Sequence, residues 1–215
     1  MNFKDKKYEI FLKHPFTMIV SGPTGSGKTI WIKRLIENRS FVTKPEPKSV
    51  YYFYGVWQDL YNEMSNVTFI QGLPDDFSKF IDTETPTWVI LDDLMMESFN
   101  SKLVSELFMR GSHHRNTSVI LVTQNFFARG KESRNISLNA HYIVLFKNPR
   151  DKSISSMIGR QIFPENTKRF VKVINEATKN PHSYIMIDLK SDTPDEVRLL
   201  TSVFGESDQM KSFVL

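Results

Sequence analysis

The chain has 215 residues, 40% hydrophobic and 24% charged, with 17 Phe, 7 Tyr and 3 Trp. That supports a full hydrophobic core and excludes disorder as the main state. Cysteine is absent, which excludes a disulfide framework, a Cys-ligated zinc site, an iron–sulfur cluster and a thiol nucleophile, and fits an intracellular protein. The 28 Lys and Arg outnumber 24 Asp and Glu for a formal charge of +4, a mild bias toward an anionic partner such as nucleic acid. No apolar run reaches the roughly 18 residues of a membrane helix, so no membrane anchor is expected. Lys4, Asp5, Lys6, Lys7, Glu9 and Lys13 leave no apolar core for a signal peptide. The length predicts one domain over 1–215, with 1–14 and 192–215 as extensions.

In chain order, Phe16 to Val20 reads as a buried strand, followed by a Gly-rich turn. Thr29 to Asn38 reads as a helix, with Ile32, Leu35 and Ile36 at helical spacing. Thr43 to Lys48 is a proline-containing loop, and Val50 to Tyr54 a second strand. The aromatic run Tyr51–Tyr54 reads as buried strand, not as a base-stacking platform. Gln58 to Met64 is a short helix, Val67 to Gln71 a short strand, and Pro74 opens a helical turn that packs Phe77 and Phe80. Trp88 to Leu91 is the most apolar strand and ends in Asp92-Asp93. Lys102 to Arg110 is a helix with Leu103, Leu107 and Phe108 on one face, and Ser118 to Thr123 another buried strand. Phe126 to Leu138 reads mainly as loop. His141 to Phe146 is a strand, Asp151 to Gly159 and Glu165 to Ala177 are helices, and Ser183 to Leu189 is a late strand. Val197, Leu199 and Leu200 suggest one more short strand in a mixed tail. Alternation of strands and helices predicts an α/β fold around a mainly parallel sheet.

The segment Gly22-Pro23-Thr24-Gly25-Ser26-Gly27-Lys28-Thr29 has the Walker A pattern, with a strand before it and a helix after it. Glycines let backbone N–H groups approach phosphate oxygens, and the helix N-terminus favours an anion. Lys28 is placed to reach the β- and γ-phosphates of ATP, and the Thr29 hydroxyl to ligate Mg²⁺.

The Trp88–Leu91 strand then delivers carboxylates at its C-terminal end, as a Walker B strand does. Asp92 is the candidate metal ligand and Asp93 the candidate catalytic base, with Glu97 the competing base. The next strand ends in Thr123-Gln124-Asn125, so Gln124 is placed to touch the γ-phosphate or the lytic water. This order suits the P-loop class that has an extra strand between the Walker A and Walker B strands.

Together, Gly22–Thr29, Val89-Ile90-Leu91-Asp92-Asp93-Leu94-Met95, and His113-His114-Arg115 before the Ser118–Gln124 strand resemble the poxvirus-type genome-packaging ATPases of the FtsK–HerA superfamily. The size fits the Polinton, adintovirus and virophage group. The resemblance implies a RecA-like P-loop NTPase fold. It also implies ATP hydrolysis coupled to moving double-stranded DNA into a capsid, a homo-oligomeric ring of five or six subunits, capsid components as partners, and a place inside the host cell at virion assembly. It implies an arginine finger, first Arg115 and second Arg110. Where many superfamily members have Asp-Glu, this chain has Asp92-Asp93, one methylene shorter at the second position.

Arg129, Lys131 and Arg134, then Lys147, Arg150 and Lys152, follow two strand tips and are candidate phosphate contacts of DNA, with a solvated surface as the competing reading. His113 and His114 read as structural or interface residues. Other functions that share the Walker signature are a helicase loader or transposition ATPase, and a nucleotide-binding scaffold with little turnover.

Overall fold

The computed structural model describes residues 12–111, 116–127, 129–204 and 211–215. Arg115, His113 and His114 lie outside them, as does the side chain of Arg110.

The strands are β1 (Leu12–Lys13), β2 (Thr17–Ser21), β3 (Thr43–Lys44), β4 (Ser49–Tyr54), β5 (Thr68–Gln71), β6 (Thr87–Asp92), β7 (Thr117–Thr123), β8 (Tyr142–Phe146), β9 (Tyr184–Asp188), β10 (Leu199–Thr201) and β11 (Lys211–Phe213). Among the described residues, nine of them form one sheet in the order β11-β10-β9-β8-β2-β7-β6-β4-β5. The run from β8 to β5 is parallel, and β9, β10 and β11 add on antiparallel. The strand ahead of the Gly-rich loop, β2, lies between β8 and β7. β7 separates it from β6, the strand that ends in Asp92. This is the extra-strand order expected from the motifs. Strands β1 and β3 form a separate parallel pair.

The core strands are buried on both faces, which is why they read as continuous apolar runs. Their alternate residues feed two cores. Ile19, Val89, Leu91, Val119 and Leu121 face one layer, and Met18, Val20, Trp88, Ile90, Ile120 and Val122 the other. The second layer is closed by α1 (Lys28–Glu37), which buries Trp31, Ile32, Leu35 and Ile36. The first layer is closed by α3 (Met95–Asn100), α4 (Lys102–Glu106), α5 (Ser133–Leu138), α6 (Ser153–Ile162) and α7 (Thr167–Ala177), through residues such as Phe99, Val104, Ile136, Ile158, Phe170 and Val173. A short helix, α2 (Arg39–Val42), follows α1. Burying each large aliphatic or aromatic side chain is worth about 1.5–3 kcal/mol, so the sheet is held from both sides.

Several local expectations change. The helix at Lys102 stops at Glu106 and continues as a π turn over Leu107–Gly111. Val104, Leu107 and Phe108 are buried, whereas Leu103 is 38% exposed. Helix α3 follows the acid pair directly, and the 126–138 segment closes in α5, docked near α3 and α4. The tail adds β11 against β10. These short elements lack a full helical or strand period and take their form from packing.

Candidate nucleotide site

The Gly22–Thr29 loop leaves β2 at the C-terminal edge of the parallel strands, where ligands bind in open α/β sheets. The Gly22 amide donates to the Thr123 carbonyl at 3.2 Å, and the Ser26 amide to the Pro23 carbonyl at 3.2 Å, so the loop is pinned to β7 and to itself. Gly27 has φ of +101°, a backbone that side chains rarely adopt, and it caps α1. The Lys28 ammonium donates to the Gly22 carbonyl at 2.7 Å and the Pro23 carbonyl at 3.0 Å. Burial lowers its pKa, an effect opposed by the charges of Asp92 and Asp93.

A cleft of about 230 Å³ brings together Thr24, Gly25, Lys28, Thr29, Asp92, Asp93 and Gln124, from the loop, β6 and the tip of β7. Gln58, Met95, Val122 and Thr123 complete its lining. Pro23, Thr24 and Gln124 also border an adjoining cleft with Asn125, Asn148 and Arg150. Glu97 is exposed on α3 and is not among the residues lining either cleft.

The two acids differ in environment. Asp92 is 4% exposed, while Asp93 is exposed. Asp93 has φ of +57°, a left-handed turn that Asp tolerates better than most residues. This turn ends β6 and redirects the chain into α3. Burial raises the Asp92 pKa; hydrogen bonds from two tyrosines and the charge of Lys28 oppose that. Tyr52 Oη donates to Asp92 Oδ2 at 2.6 Å, and Tyr61 Oη donates to the same oxygen at 3.1 Å. Burial, first, and the Asp92 charge, second, push both phenol pKa values upward, so both stay protonated donors.

The tyrosines, and Gln58 in the cleft wall, are contacts that sequence reasoning missed. The sequence carries a signal for them: a fully buried tyrosine needs a partner for its hydroxyl, and the apolar run around Tyr52 reads as a buried strand. The register completes it, with Tyr52 opposite Ile90 and Tyr54 opposite Asp92 across the parallel β4–β6 pair.

Thr29 and Asp92 offer a hydroxyl and a carboxylate to one cleft. These are hard oxygen donors of the type that suits Mg²⁺ alongside phosphate oxygens. Of the basic residues, Arg129, Lys131, Arg134, Lys147, Arg150 and Lys152 are exposed, and Lys147 donates to the Lys179 carbonyl at 3.1 Å. Phe126 and Phe127 pack on each other with ring centroids 4.9 Å apart, and Phe126 is buried, so this pair belongs to the core.

The pattern of the Poxvirus A32 protein family matches residues 3–198. The chain belongs to that family. The fold of this A32 family member agrees with solved P-loop NTPases. The DNA-packaging ATPase B204 from Sulfolobus turreted icosahedral virus aligns with a TM-score of 0.56 at 15% identity, over 84% of this chain and 96% of that one. The genome packaging NTPase B204 from Sulfolobus turreted icosahedral virus 2, in complex with ATP-gammaS, aligns with a TM-score of 0.55 at 15% identity, over 83% and 94%. The cytoplasmic domain of the Thermomonospora curvata type VII secretion ATPase EccC aligns with a TM-score of 0.53 at 14% identity, over 91% of this chain and 25% of that longer one. No curated protein sequence matches the A32 family member significantly. Among its described residues, no helix is long and apolar enough to cross a membrane.

Proposed function

We propose that this chain is the ATPase of a viral genome-packaging motor, hydrolysing ATP to move double-stranded DNA into a capsid as a homo-oligomeric ring inside the host cell. Membership of the A32 family supports this reading, and so does likeness in fold to NTPases described as genome packaging enzymes. The observation that carries the chemistry is the convergence of Lys28, Thr29, Asp92, Asp93 and Gln124 on one cleft beside the phosphate loop.

In this reading the backbone of Gly22, Pro23, Thr24, Gly25, Ser26 and Gly27 cradles the phosphates, and the α1 N-terminus adds its dipole. Lys28 exchanges its loop carbonyls for β- and γ-phosphate oxygens. Thr29 and Asp92 hold Mg²⁺, which neutralises phosphate charge when bound. Asp93, exposed on its left-handed turn, orients and deprotonates the attacking water, and Gln124 contacts that water or the γ-phosphate. Arg115 of a neighbouring subunit, or Arg110 in second place, supplies the finger to the γ-phosphate. The exposed cations after β7 and β8 meet DNA phosphates, and capsid components dock the ring.

The test is ATP hydrolysis by purified protein with Mg²⁺, with and without duplex DNA, across a salt series. Expected are hydrolysis that duplex DNA stimulates, stimulation that fades as salt rises, and loss of both in Lys28→Ala. Hydrolysis indifferent to duplex DNA, or stimulated only by single strands, would sink the packaging reading. Nucleotide binding without turnover would sink the motor reading altogether.

A further inference from the structure

The segment between the two Walker motifs builds a wall of the nucleotide site. Tyr52 and Tyr61 both donate to Asp92 Oδ2, Gln58 lines the cleft, and Gly55 packs on Asp93. The hydroxyls are held by their rings. Tyr61 stacks on Phe69 at 5.2 Å and 22°, meets Tyr52 at 5.0 Å, and stands perpendicular to Trp57 at 5.4 Å. Tyr52 also packs on Phe69 at 5.2 Å.

The geometry points to Tyr52 and Tyr61 as positioning residues for the metal: two neutral donors fix one oxygen of Asp92 and leave the other for the cation. This rests on the reading of Asp92 as a Mg²⁺ ligand. The choice of phenols has a physical reason. A carboxylate that is 4% exposed needs hydrogen-bond donors to stay charged. A Lys or Arg partner would supply them but would cancel the negative charge that attracts the cation. Two phenol hydroxyls orient the group and leave its full charge in place. Lys28, the nearby cation, donates to the Gly22 and Pro23 carbonyls and acts on Asp92 through its charge, whereas the two tyrosines are hydrogen-bonded to Oδ2. Groups that orient a metal ligand from behind typically change metal affinity about 10–100-fold when removed.

The experiment uses Tyr52→Phe, Tyr61→Phe and the double variant, which keep the rings and remove only the hydroxyls. Mn²⁺ is titrated into each protein saturated with ADP and followed by electron paramagnetic resonance. ADP affinity in EDTA and thermal stability are measured beside it. Expected is Mn²⁺ affinity at least about tenfold weaker in the double variant, with metal-free ADP affinity unchanged. Phe69→Leu, which loosens the ring packing without touching a hydroxyl, is expected to weaken Mn²⁺ far less. Wild-type Mn²⁺ affinity in the double variant would overturn the proposal. So would equal losses of Mn²⁺ binding, metal-free ADP binding and stability, which would mark a packing role. If the wild-type protein binds ADP but Asp92→Asn leaves Mn²⁺ affinity intact, the assignment of Asp92 as metal ligand fails instead.

Discussion

Gly55 lies directly against Asp93: a Cβ built on Gly55 would stand 2.4 Å from the Asp93 carbonyl oxygen, and the Gly55 amide donates to the Asp92 carbonyl at 3.1 Å. The end of β4 therefore sets where the left-handed turn at the end of β6 sits. Gly55→Ala has to push Asp93 away, because backbone offers no soft side chain to yield. A displacement of about 1 Å in a reacting group costs on the order of 10²-fold in rate. Single-turnover hydrolysis in Gly55→Ala is expected to fall by about that factor, with nucleotide affinity in EDTA nearly unchanged. A normal rate would show that the position of Asp93 does not limit the chemistry.

Lys28 and Asp93 line the same cleft, and the proposed mechanism gives them different tasks. Lys28→Ala is expected to lower nucleotide affinity and turnover together, because it removes a contact made before and during reaction. Asp93→Asn is expected to keep binding and lose about 10²–10⁴-fold in turnover. Nucleotide-binding and steady-state assays on both variants separate the two. Near-normal turnover in Asp93→Asn would transfer the role of base to Glu97 despite its place outside the cleft.

If the finger acts between subunits, specific activity rises with protein concentration. Arg115→Ala then loses about 10³–10⁵-fold in rate. Mixing Arg115→Ala with Lys28→Ala subunits is expected to restore activity that neither has alone. A normal rate in Arg115→Ala would redirect the same mixing assay to Arg110.

His14 supplies a pH prediction. Its Nδ1 accepts from the Ser118 hydroxyl at 2.6 Å, and its Nε2 lies 3.0 Å from the Asn116 carbonyl and side-chain oxygens. Burial lowers its pKa first, and the charge of Lys190 adds to that; the hydrogen bonds to Asn116 oppose it. The folded protein thus binds fewer protons at His14 than the unfolded chain. This contribution to stability is whole above about pH 6.5 and is lost as pH falls from there through the lowered folded pKa. Denaturant midpoints of wild type and His14→Gln between pH 8 and 5 check it. The difference between the two curves should shrink as pH falls, and a constant difference would rule the effect out.

Sequence by itself determined the parallel core and those candidate site residues whose placement follows from their position along the chain. A strand, a Gly-rich turn and a helix N-terminus are local objects. So is a buried apolar strand that ends in carboxylates. For this reason the sequence alone singles out Gly22–Thr29, Asp92, Asp93 and Gln124, and of these Thr24, Gly25, Lys28, Thr29, both acids and Gln124 line one cleft. The structure decided what depends on registration between distant segments. Tyr52, Gly55, Gln58 and Tyr61 join the site only because β4 pairs with β6 so that Tyr54 stands opposite Asp92. In each case the deciding term is a hydrogen bond or a packed surface between residues far apart in sequence. Such a term exists only once the sheet has assembled.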